Sequence, residues 1–579
     1  MKFIPGKKYR SFLMLVCPPA VLLGCVVPTL PQTTPPTALQ TAPQAACATL
    51  ADVSLVATLP NARSAIKSAR LIAATATAPR HCAIEGEINR RTGIDGQPYV
   101  IRFILRLPAD TWNGRFFMGG GGGTNGVLVD PVQRLAQGYA TIGTDGGHDN
   151  QINNVANAGG TASFGVDPDA RIDFGYRAYD LVTQAGKMLV SRFYQRAADK
   201  SYFMGCSEGG REGLLMSQRF PEHYDGIVAG DPVLHLPLGP MSGLYTTQLF
   251  AGLARRAGHV LPNGDPAIGM SYSDPDLQLV RQAVLEACDG ADGLKDGIVD
   301  NQAACTAAAV APKLAELKCT GAKNDQCLSS DQIATLQKAY EGTFDSKGTR
   351  LYPSWQWDGG IGGRDGNAYN STWRAWWLGA YSKERNNATK LTYATAAAVA
   401  YTTPPVLPLS AADSLRYSLS YNFDSEPIKL FLTTSVYAES TASMTFTDSP
   451  DLSKFRARGG KMMVYHGASD SSVSVNDTLG WYQNVDQRSG GGVTQFARMF
   501  VVPGMNHCSG GPATDNFDML PQLVDWVEKG IAPTAVVASA SRPGFFGVTS
   551  RSRPLCPYPA QARYKGEGDI NRAENFVCR

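Results

Sequence analysis

A five-residue segment, Gly205-Cys206-Ser207-Glu208-Gly209, constrains the fold of this chain more than any other feature. It follows the apolar run 201–204 and precedes the helix-compatible run 211–220. In a sharp strand-to-helix turn, side chains two residues before and after the serine would collide with neighbouring backbone, so glycines are needed there. Gly-rich chains can contain G-x-S-x-G by chance, so the prediction depends on the strand and the helix that flank the motif. They predict a turn that lifts the Ser207 hydroxyl above the edge of a sheet.

Strand-like and helix-like runs alternate in two separate regions of the chain. Helical spacing of apolar residues over 173–194 and 519–529 predicts helices. The predicted strands are 115–118, 139–142, 201–204, 461–465 and 496–502. Strands that alternate with helices are typical of a parallel sheet covered by helices on both faces. The sequence therefore predicts an α/β fold, with a core formed by residues 47–231 together with residues 459–579.

The segment 232–458, between the two regions, has a different character. It contains five of the eight tryptophans and four of the cysteines, among loops rich in Asp and Gly. The tryptophans are Trp355, Trp357, Trp373, Trp376 and Trp377. We interpret the segment as a lid domain inserted into the α/β core. For most of these rings we expect a place in the hydrophobic core of the lid itself.

Two residues downstream of Ser207 complete a predicted hydrolytic triad, which indicates an α/β-hydrolase core. Asp470 follows the predicted strand 461–465, and His507 follows the predicted strand 496–502. Functional groups of α/β sheets lie past the carboxyl ends of the strands, and the order serine, acid, histidine is that of the α/β-hydrolases. Histidine activates serine by accepting its proton, and the acid orients the imidazole.

Other interpretations of the histidines stay open. His507 is alternatively an ordinary loop histidine, although the chain has only seven histidines and this one stands where a triad base belongs. His466 lies within or at the end of a predicted strand, and His148 precedes the nucleophile in the chain. Both are therefore weaker candidates for the base.

An acyl-transfer site also needs two N–H groups that stabilise the oxyanion. The residue after the nucleophile, Glu208, supplies one, and a loop after an early strand supplies the other. The glycine run 119–123 follows the predicted strand 115–118, so we predict Gly121 and Gly122 as donors on that side. A flexible linker is a poor interpretation, because apolar strands flank the run. A phosphate-binding loop is disfavoured, since no Gly-Lys-Ser/Thr follows.

The cysteine pattern predicts disulfides and therefore export. Of the twelve cysteines, Cys17 and Cys25 lie near the N-terminus, and the others can form five pairs. Sequence proximity predicts the pairs Cys47–Cys82, Cys288–Cys305, Cys319–Cys327 and Cys556–Cys578. Cys206 and Cys508 remain, adjacent to Ser207 and His507. We expect a disulfide between them, which would join nucleophile and base, although two buried free thiols are the alternative.

The N-terminus has the features of an export signal. Basic residues precede a short apolar run at 12–23, and Leu22-Leu23-Gly24-Cys25 resembles a bacterial lipobox. We interpret residues 1–24 as a lipoprotein signal peptide and residues 25–46, rich in Thr and Pro, as a tether. The expected location is the periplasm or the outer membrane, with a lipid anchor at Cys25. An ordinary secretory peptide that contains a cysteine is the alternative.

Acidic residues recur at short intervals between glycines in the segment 289–300. Carboxylate and carbonyl oxygens on one short loop can surround a hard cation, although the spacing here is not that of an EF-hand. We predict a structural Ca²⁺ site formed by Asp289, Asp292, Asp296 and the carbonyl groups of Leu294 and Ile298. A solvated acidic turn is the alternative.

Taken together, these motifs resemble the tannase and feruloyl esterase family. The resemblance covers nearly the whole mature chain and is carried by the segments 205–210, 465–470, 503–511 and 553–558, together with the acidic loop. It implies the triad above, a Cys206–Cys508 disulfide, a lid that sets specificity, and calcium bound in that lid. It also implies hydrolysis of small aromatic esters, such as terephthalate monoesters, hydroxycinnamate esters or gallate esters.

The resemblance further implies which side chains contact the substrate. These are Trp377, Lys390, Tyr393, Ala394, Thr395 and Val473. In family members that cleave a terephthalate monoester, an Arg stands at the position of Lys390, and a Phe stands at each of the positions of Ala394 and Val473. Lysine cannot make the bidentate contact that arginine makes to a carboxylate. We therefore expect a looser pocket that admits several aromatic esters.

Composition narrows the partners and leaves two other interpretations. The net charge of +3 gives no reason to expect nucleic acid as a partner, and the only membrane contact expected is the lipid at Cys25. One alternative is a calcium-stabilised surface binding protein on an inactive hydrolase scaffold, against which the intact set Ser207, Asp470 and His507 argues. A peptidase is the other, but no feature indicates a peptide-binding groove.

Overall fold

The computed structural model describes residues 38–55, 58–59, 62–362 and 373–579. Residues 43–579 form one compact unit, and residues 1–42 are a separate unit of which only the backbone of residues 38–42 is described. The predicted signal peptide and Cys25 therefore lie outside the described residues. In the part of the chain that the structure describes, no helix is long and apolar enough to cross a membrane.

Fifteen strands occur in the described residues, and nine of them form one mixed sheet. In chain order they are β1 (Ser64–Ile72), β2 (His81–Thr92), β3 (Pro98–Pro108), β4 (Arg115–Gly119), β5 (Ala140–Thr144), β6 (Lys200–Cys206), β7 (Gly226–Gly230), β8 (Thr343–Phe344), β9 (Arg350–Tyr352), β10 (Lys461–Gly467), β11 (Ala497–Val502), β12 (Val536–Ser539), β13 (Ser552–Leu555), β14 (Ala562–Tyr564) and β15 (Phe576–Cys578). The large sheet has the order β1-β2-β3-β5-β4-β6-β7-β10-β11. Pairing is parallel from β5 to β11 and antiparallel among β1, β2, β3 and β5.

The α-helices lie both around this sheet and in the inserted segment. In chain order they are α1 (Ala38–Thr49), α2 (Val132–Leu135), α3 (Pro168–Ile172), α4 (Ala178–Tyr194), α5 (Glu208–Arg219), α6 (Leu238–Arg256), α7 (Asp274–Cys288), α8 (Ala307–Glu316), α9 (Ser330–Tyr340), α10 (Trp373–Trp377), α11 (Thr389–Thr392), α12 (Ser414–Ser420), α13 (Thr441–Thr445), α14 (Ser453–Ala457), α15 (Val475–Arg488) and α16 (Leu520–Lys529).

Alternate residues of the parallel strands contact different helices, so these strands are apolar on both faces and appear as continuous apolar runs. Met462 and Val464 belong to the apolar cluster that contains residues of α4, α5 and α15. Met463 and Tyr465 belong to the cluster that contains residues of α16. The predicted α/β fold, with a parallel sheet covered on both faces, is confirmed for this part of the sheet.

The antiparallel edge formed by β1, β2 and β3 is absent from the sequence predictions, and it makes the sheet mixed. Residues of β1 alternate between exposed and half-buried positions, as expected for an outer strand with one solvated face. Such a strand has no continuous apolar run, so the sequence pattern does not mark it.

The segment between the two parts of the core contributes no strand to the large sheet, as far as its residues are described. It contains helices α6 to α14 and the small pair β8 and β9. Its five tryptophans are at most 7% exposed and belong to one apolar cluster with residues of α6, α7 and α9. The tryptophan rings therefore form the hydrophobic core of the inserted segment, as expected for most of them.

The described residues contain five disulfides, and their pairings are the predicted ones: Cys47–Cys82, Cys206–Cys508, Cys288–Cys305, Cys319–Cys327 and Cys556–Cys578. Cys206 and Cys508 are 302 residues apart in the chain, with Cα atoms 6.0 Å apart. This disulfide therefore connects the residue before Ser207 to the residue after His507.

Candidate active site

Ser207 occupies the turn between β6 and α5, with φ 64° and ψ −121°. Positive φ is uncommon for residues other than glycine, so the turn is a strained one. A Cβ on Gly205 would lie 2.6 Å from the backbone of Gly209, and a Cβ on Gly209 would lie 2.8 Å from the carbonyl oxygen of Gly121. Both flanking glycines are therefore sterically required, and the turn presents the Ser207 hydroxyl at the carboxyl end of β6.

The structure brings Ser207, His507 and Asp470 together. His507 Nε2 lies 2.7 Å from Ser207 Oγ, and His507 Nδ1 lies 2.7 Å from Asp470 Oδ2. Asp470 follows β10 and His507 follows β11, so both lie past the carboxyl ends of parallel strands. This geometry allows His507 to accept the serine proton while Asp470 holds the imidazole.

Asp470 is buried in surroundings that favour its ionised form. Its Oδ1 accepts the N–H groups of Ser472 at 2.7 Å and Val473 at 3.0 Å. Burial by itself raises the pKa of Asp470, but the imidazoles of His507 and His466 hold that pKa well below its usual range. An ionised Asp470 fixes the tautomer of His507 and stabilises the imidazolium that forms during proton transfer.

The two other candidate histidines do not contact Ser207. His466 Nδ1 lies 2.9 Å from Thr478 Oγ1, and its Nε2 lies 3.3 Å from Asp470 Oδ2, behind the acid. His148 is buried and stacks on Phe164 with ring centroids 4.0 Å apart. Among these three histidines, only His507 is placed to activate the serine.

The prediction of Gly121 and Gly122 as oxyanion donors is wrong, because both N–H groups are engaged within the loop. Gly121 N–H donates to Glu212 Oε2 at 3.0 Å, and Gly122 N–H donates to Asn125 Oδ1 at 2.9 Å. The sequence does not reveal this, since Glu212 lies 91 residues from Gly121.

Gly123 is the member of the glycine run that fits the oxyanion role. It lines the same pocket as Ser207, and its N–H makes no hydrogen bond to any residue that the structure describes. Glu208 is the first residue of α5, where N–H groups have no partner within the helix. The N–H groups of Glu208 and Gly123 therefore form the candidate oxyanion hole.

The pocket beside Ser207 contains three of the six predicted substrate contacts, namely Lys390, Tyr393 and Val473. Its other lining residues are Gly123, Val233, Leu236, Gly239, Pro240, Trp376, Tyr401 and Ser472. Val233, Leu236, Gly239 and Pro240 belong to the beginning of the inserted segment, where the sequence showed no marked pattern. The pocket therefore lies between the core and the inserted segment.

The other three predicted contacts, Trp377, Ala394 and Thr395, do not line this pocket. Trp377 is 1% exposed, and its indole N–H donates to the carbonyl oxygen of Ser471 at 2.7 Å. Ala394 is fully buried in the apolar cluster behind the pocket wall that Val233, Leu236, Tyr401 and Val473 form, and the Thr395 hydroxyl donates to the carbonyl oxygen of Thr392. Sequence alignment gives the correct segment but not the direction in which each side chain points.

Trp376, the neighbour of Trp377 in α10, is the tryptophan that faces the triad. Its ring meets the His507 ring edge to face, with centroids 5.5 Å apart, and it stacks on Tyr393 with centroids 5.7 Å apart. The pocket is narrow: the volume open to a water-sized sphere is about 40 Å³.

Lys390 brings to this pocket a buried amino group that is positively charged when protonated. The residue is 5% exposed, and its Nζ has no hydrogen-bond partner among the described residues. The ammonium lies 4.4 Å from the ring centroid of Trp355 and 4.5 Å from that of Trp377. Burial lowers the pKa of Lys390 to about 7. Cation–π contacts compensate only part of the lost hydration, so an anionic ligand would complete this environment.

The acidic loop of residues 289–300 folds back on itself. Asp289 and Asp292 accept N–H groups from residues 294–300, and Asp296 forms an ion pair with Arg553. Of the predicted carbonyl ligands, Leu294 lies between Asp292 and Asp296 in the chain, and Ile298 follows Asp296 by two residues.

The donor set of this loop is all oxygen, which suits a hard cation. In the described residues, however, the oxygen atoms of Asp289, Asp292 and Asp296 do not all come within 4.8 Å of one another. The chemistry of the loop fits calcium, whereas the convergence of its carboxylates is incomplete in this conformation.

Two buried aspartates next to the triad are absent from the sequence predictions. Asp231 follows β7 and lies beside Asp470, and Asp358 of the inserted segment contacts the loops that carry Asp470 and His507. Asp231 follows a strand end, as Asp470 does, so the same rule applied to the run 226–230 would have found it. No local signal marks Asp358.

Comparison with known proteins agrees with this geometry. A family model described as "Tannase and feruloyl esterase" matches residues 82–579. The chain is 49% identical over 558 residues to mono(2-hydroxyethyl) terephthalate hydrolase of Piscinibacter sakaiensis, with 92% of each chain covered. It is 30% identical over 500 residues to probable feruloyl esterase B of Emericella nidulans, with 82% of each chain covered.

Among solved structures, feruloyl esterase B from Aspergillus oryzae is similar over 93% of this chain and 100% of that chain, with a TM-score of 0.68 and 25% sequence identity. Tannin acyl hydrolase from Aspergillus niger shares the fold over 90% of each chain, with a TM-score of 0.59 and 20% identity.

Proposed function

Because the chain belongs to the tannase and feruloyl esterase family, we propose that it hydrolyses small aromatic esters that carry an anionic group on the ring. It is a carboxylic ester hydrolase of aromatic esters, as its relatives indicate. The preference for substrates with an anionic group on the ring goes beyond what the relatives indicate, and it rests on one observation. The side chain of Lys390 lines the same pocket as Ser207, and its buried ammonium group has no hydrogen-bond partner among the described residues.

The site supports hydrolysis through an acyl-enzyme. Ser207 Oγ attacks the ester carbonyl while His507 Nε2 accepts the serine proton, and Asp470 stabilises the imidazolium. The N–H groups of Glu208 and Gly123 stabilise the tetrahedral oxyanion. His507 then donates the proton to the leaving alcohol, and it later activates the water that releases the acid from Ser207.

The ring of the substrate would lie between the triad and Lys390. Trp376 and Tyr393 provide flat aromatic walls near His507, and Val473 provides a small aliphatic one. The lysine ammonium is a compact charge, whereas an arginine guanidinium can make two parallel hydrogen bonds to a carboxylate. Lysine therefore holds a carboxylate with less directional constraint. The relative named as a terephthalate monoester hydrolase supports an acidic aromatic substrate, whereas the small Val473 supports a broader range.

The test compares a methyl monoester of terephthalate with methyl 4-methylbenzoate, which has a similar shape and no charge. Replacing Lys390 by Met removes the charge at similar length. We expect Lys390→Met to lower kcat/KM for the monoester about tenfold relative to the neutral ester, since about 1.4 kcal/mol corresponds to that factor. Lys390→Arg is the matched control and should keep the preference. An unchanged ratio in Lys390→Met would contradict the role of Lys390.

Methyl gallate and methyl ferulate extend the same screen to the other ester classes of the family. Neither ester carries a carboxylate, so their kcat/KM should respond to Lys390→Met as that of methyl 4-methylbenzoate does. A high activity that is independent of Lys390 on either ester would instead assign the chain to a neutral aromatic substrate.

We further propose that the acidic loop binds a structural Ca²⁺ through Asp289, Asp292 and Asp296. The support is the all-oxygen donor set on one short loop. The ion would neutralise the loop and take no part in the chemistry at Ser207. Elemental analysis of the purified protein tests its presence.

We also propose that the chain is exported and anchored by lipid at Cys25. The five disulfides support an oxidising compartment. Mass spectrometry of the N-terminal peptide from the membrane fraction tests the anchor: a mature chain that begins at Cys25 without acyl groups would contradict it.

A further inference from the structure

A second carboxyl group lies behind the triad acid. Asp231 directly follows β7, with φ 37°, and it is fully buried. Its carboxyl oxygen, an oxygen of Asp470 and a ring nitrogen of His466 lie within 4.8 Å of one another. The hydrolytic mechanism uses only one of these two carboxyl groups, so the other needs a role.

Hydrogen bonds connect Asp231 to the parts of the chain that carry the triad. Its Oδ1 accepts the N–H of Gly467, at the end of β10, at 2.9 Å. The backbone N–H of Asp231 donates to the carbonyl oxygen of Tyr465 at 2.7 Å, and a carboxyl oxygen of Asp231 lies within 4.8 Å of one of Asp470. Its Oδ2 lies 3.4 Å from Cys206 Sγ, in the disulfide with Cys508. Asp231 therefore joins the end of β7 to the loops that hold the acid and the base.

The charges in this region determine where a proton must reside. Facing Asp231 are Asp470, His466 and Tyr465 from β10 and its following turn, together with the Cys206–Cys508 disulfide. His507 and Lys390 lie on the other side of Asp470. Two carboxylates in contact and away from water cannot both be ionised, so one of them carries a proton.

The hydrogen bonds of Asp470 assign that proton. Both carboxyl groups accept backbone N–H groups, but Asp470 accepts two of them and also the N–H of His507, and it lies nearer His466 than Asp231 does, so its ionised form is the more favoured. Burial, and then the charge of Asp470, raise the pKa of Asp231 well above its usual range. The proton therefore belongs on Asp231, where it can point toward Asp470.

We propose that Asp231 is a positioning residue, whose protonated carboxyl group donates a hydrogen bond to Asp470 and holds Asp470 in a single orientation toward His507. A protonated Asp231 adds no negative charge to the site, so Asp470 alone sets the proton affinity of His507. The inference rests on ester hydrolysis by the triad and not on which aromatic ester is the substrate.

The kinetic test uses p-nitrophenyl acetate, whose cleavage does not depend on recognition of an aromatic acid. Asp231→Asn keeps a neutral donor toward Asp470 and an acceptor for Gly467 N–H. We expect it to retain kcat within about threefold, and to leave the acidic limb of the pH profile in place, because one neutral group replaces another. Asp231→Ala should lower kcat at least about tenfold with little change in KM. Asp470 would lose the hydrogen bond that holds it toward His507, which affects proton transfer and not substrate binding.

Two kinetic outcomes would overturn the proposal. A fall of about one unit in the apparent pKa of the acidic limb in Asp231→Asn would mean that a negative charge had been removed, so that Asp231 is ionised in the enzyme. Wild-type kcat in Asp231→Ala would mean that the side chain does not position Asp470. If Asp231→Ala does not fold, the Asn variant and the following measurement still decide.

A substrate-free measurement makes the test independent of activity. Infrared difference spectra between wild-type enzyme and Asp231→Asn, each labelled with ¹³C-aspartate, report the carbonyl stretch of a protonated carboxylic acid. We expect this band in the wild type and its loss in the variant at neutral pH. Absence of the band in the wild type would place the proton elsewhere, on His466 for example, and would overturn the inference even if the chain hydrolyses aromatic esters.

Discussion

Ser469, the residue before Asp470, donates its hydroxyl group to Asp358 of the inserted segment. The same carboxylate accepts the N–H of Gly504 at 2.9 Å, three residues before His507, and the N–H of Gly360 at 3.2 Å. Asp358 is 2% exposed. One buried carboxylate of the inserted segment therefore holds both loops that carry the acid and the base of the triad.

Replacement of Asp358 by Ala should lower both thermal stability and kcat. Each buried donor that loses its acceptor costs about 1–3 kcal/mol, and the loops of Asp470 and His507 lose their common partner. Thermal unfolding and turnover of p-nitrophenyl acetate measure the two effects. Asp325→Ala, an exposed aspartate of the same segment, is the matched control. Equal kcat in Asp358→Ala and Asp325→Ala would show that the lid contact does not position the triad.

Ser207→Ala and His507→Ala should each reduce kcat by about 10⁴-fold, because members of a triad act as a unit. A fluorophosphonate probe should label wild-type Ser207 and fail to label Ser207→Ala. Labelling also separates an active esterase from a binding protein on an inactive scaffold. His259→Ala, a histidine outside the pocket, serves as the control. His507→Ala with more than about a tenth of wild-type turnover is incompatible with the triad assignment.

Removal of the Cys206–Cys508 disulfide should destabilise the protein and lower kcat. The bridged cysteines are 302 residues apart, so by loop entropy the disulfide contributes up to roughly 5 kcal/mol. The double variant Cys206→Ser, Cys508→Ser also frees the loop of His507 from the turn of Ser207. The control is Cys319→Ser with Cys327→Ser, which removes a bridge of sequence separation 8 in the inserted segment. Equal losses of kcat in the two double variants would argue against a link between nucleophile and base.

Chelation of calcium should lower the thermal transition of the wild type. A ligand that binds only the folded state stabilises it by mass action, and its removal reverses this. Asp292→Asn should have a lower transition in calcium and should respond less to chelator. Activity on p-nitrophenyl acetate, measured well below the transition, should persist, because the loop supplies no group to the triad. An unchanged melting curve, together with no metal by elemental analysis, would contradict the calcium site and favour a solvated acidic turn.

His235 makes the attachment of the inserted segment sensitive to high pH. It lies at the beginning of this segment, 2.9 Å from Asp477 of α15 and 3.2 Å from Asp448 near the end of the segment. Burial lowers the pKa of His235, but the carboxylates of Asp448 and Asp477 outweigh burial and raise it from 6.5 to about 10.

Because this folded-state pKa is raised, the contribution of protonated His235 to stability is complete below about pH 6.5 and is lost as the pH rises toward 10. We expect His235→Gln to lower the free energy of unfolding by on the order of 1 kcal/mol at pH 6, since the pair is partly exposed and screened. The difference between variant and wild type, measured by urea unfolding, should shrink as pH is raised. A difference that does not change with pH would contradict a charged His235.

The features that the sequence predicted correctly depend on short stretches of chain. The glycines around Ser207 are fixed by contacts within one turn, and the strands before Asp470 and His507 appear as buried apolar runs because both faces of the sheet are covered. Even the pairing of Cys206 with Cys508 follows from arithmetic, once the other cysteines have near neighbours.

The tertiary structure alone decided which groups are left without a partner. The N–H of Gly123 in the pocket has no partner among the residues that the structure describes, whereas Glu212 of α5 engages the N–H of Gly121. Trp376, and not Trp377, faces His507, because Trp377 is held by Ser471. Steric and periodic rules act between neighbours in the chain and can be seen in its sequence. The choice of hydrogen-bond partner and the direction of a side chain depend on residues that only folding brings together.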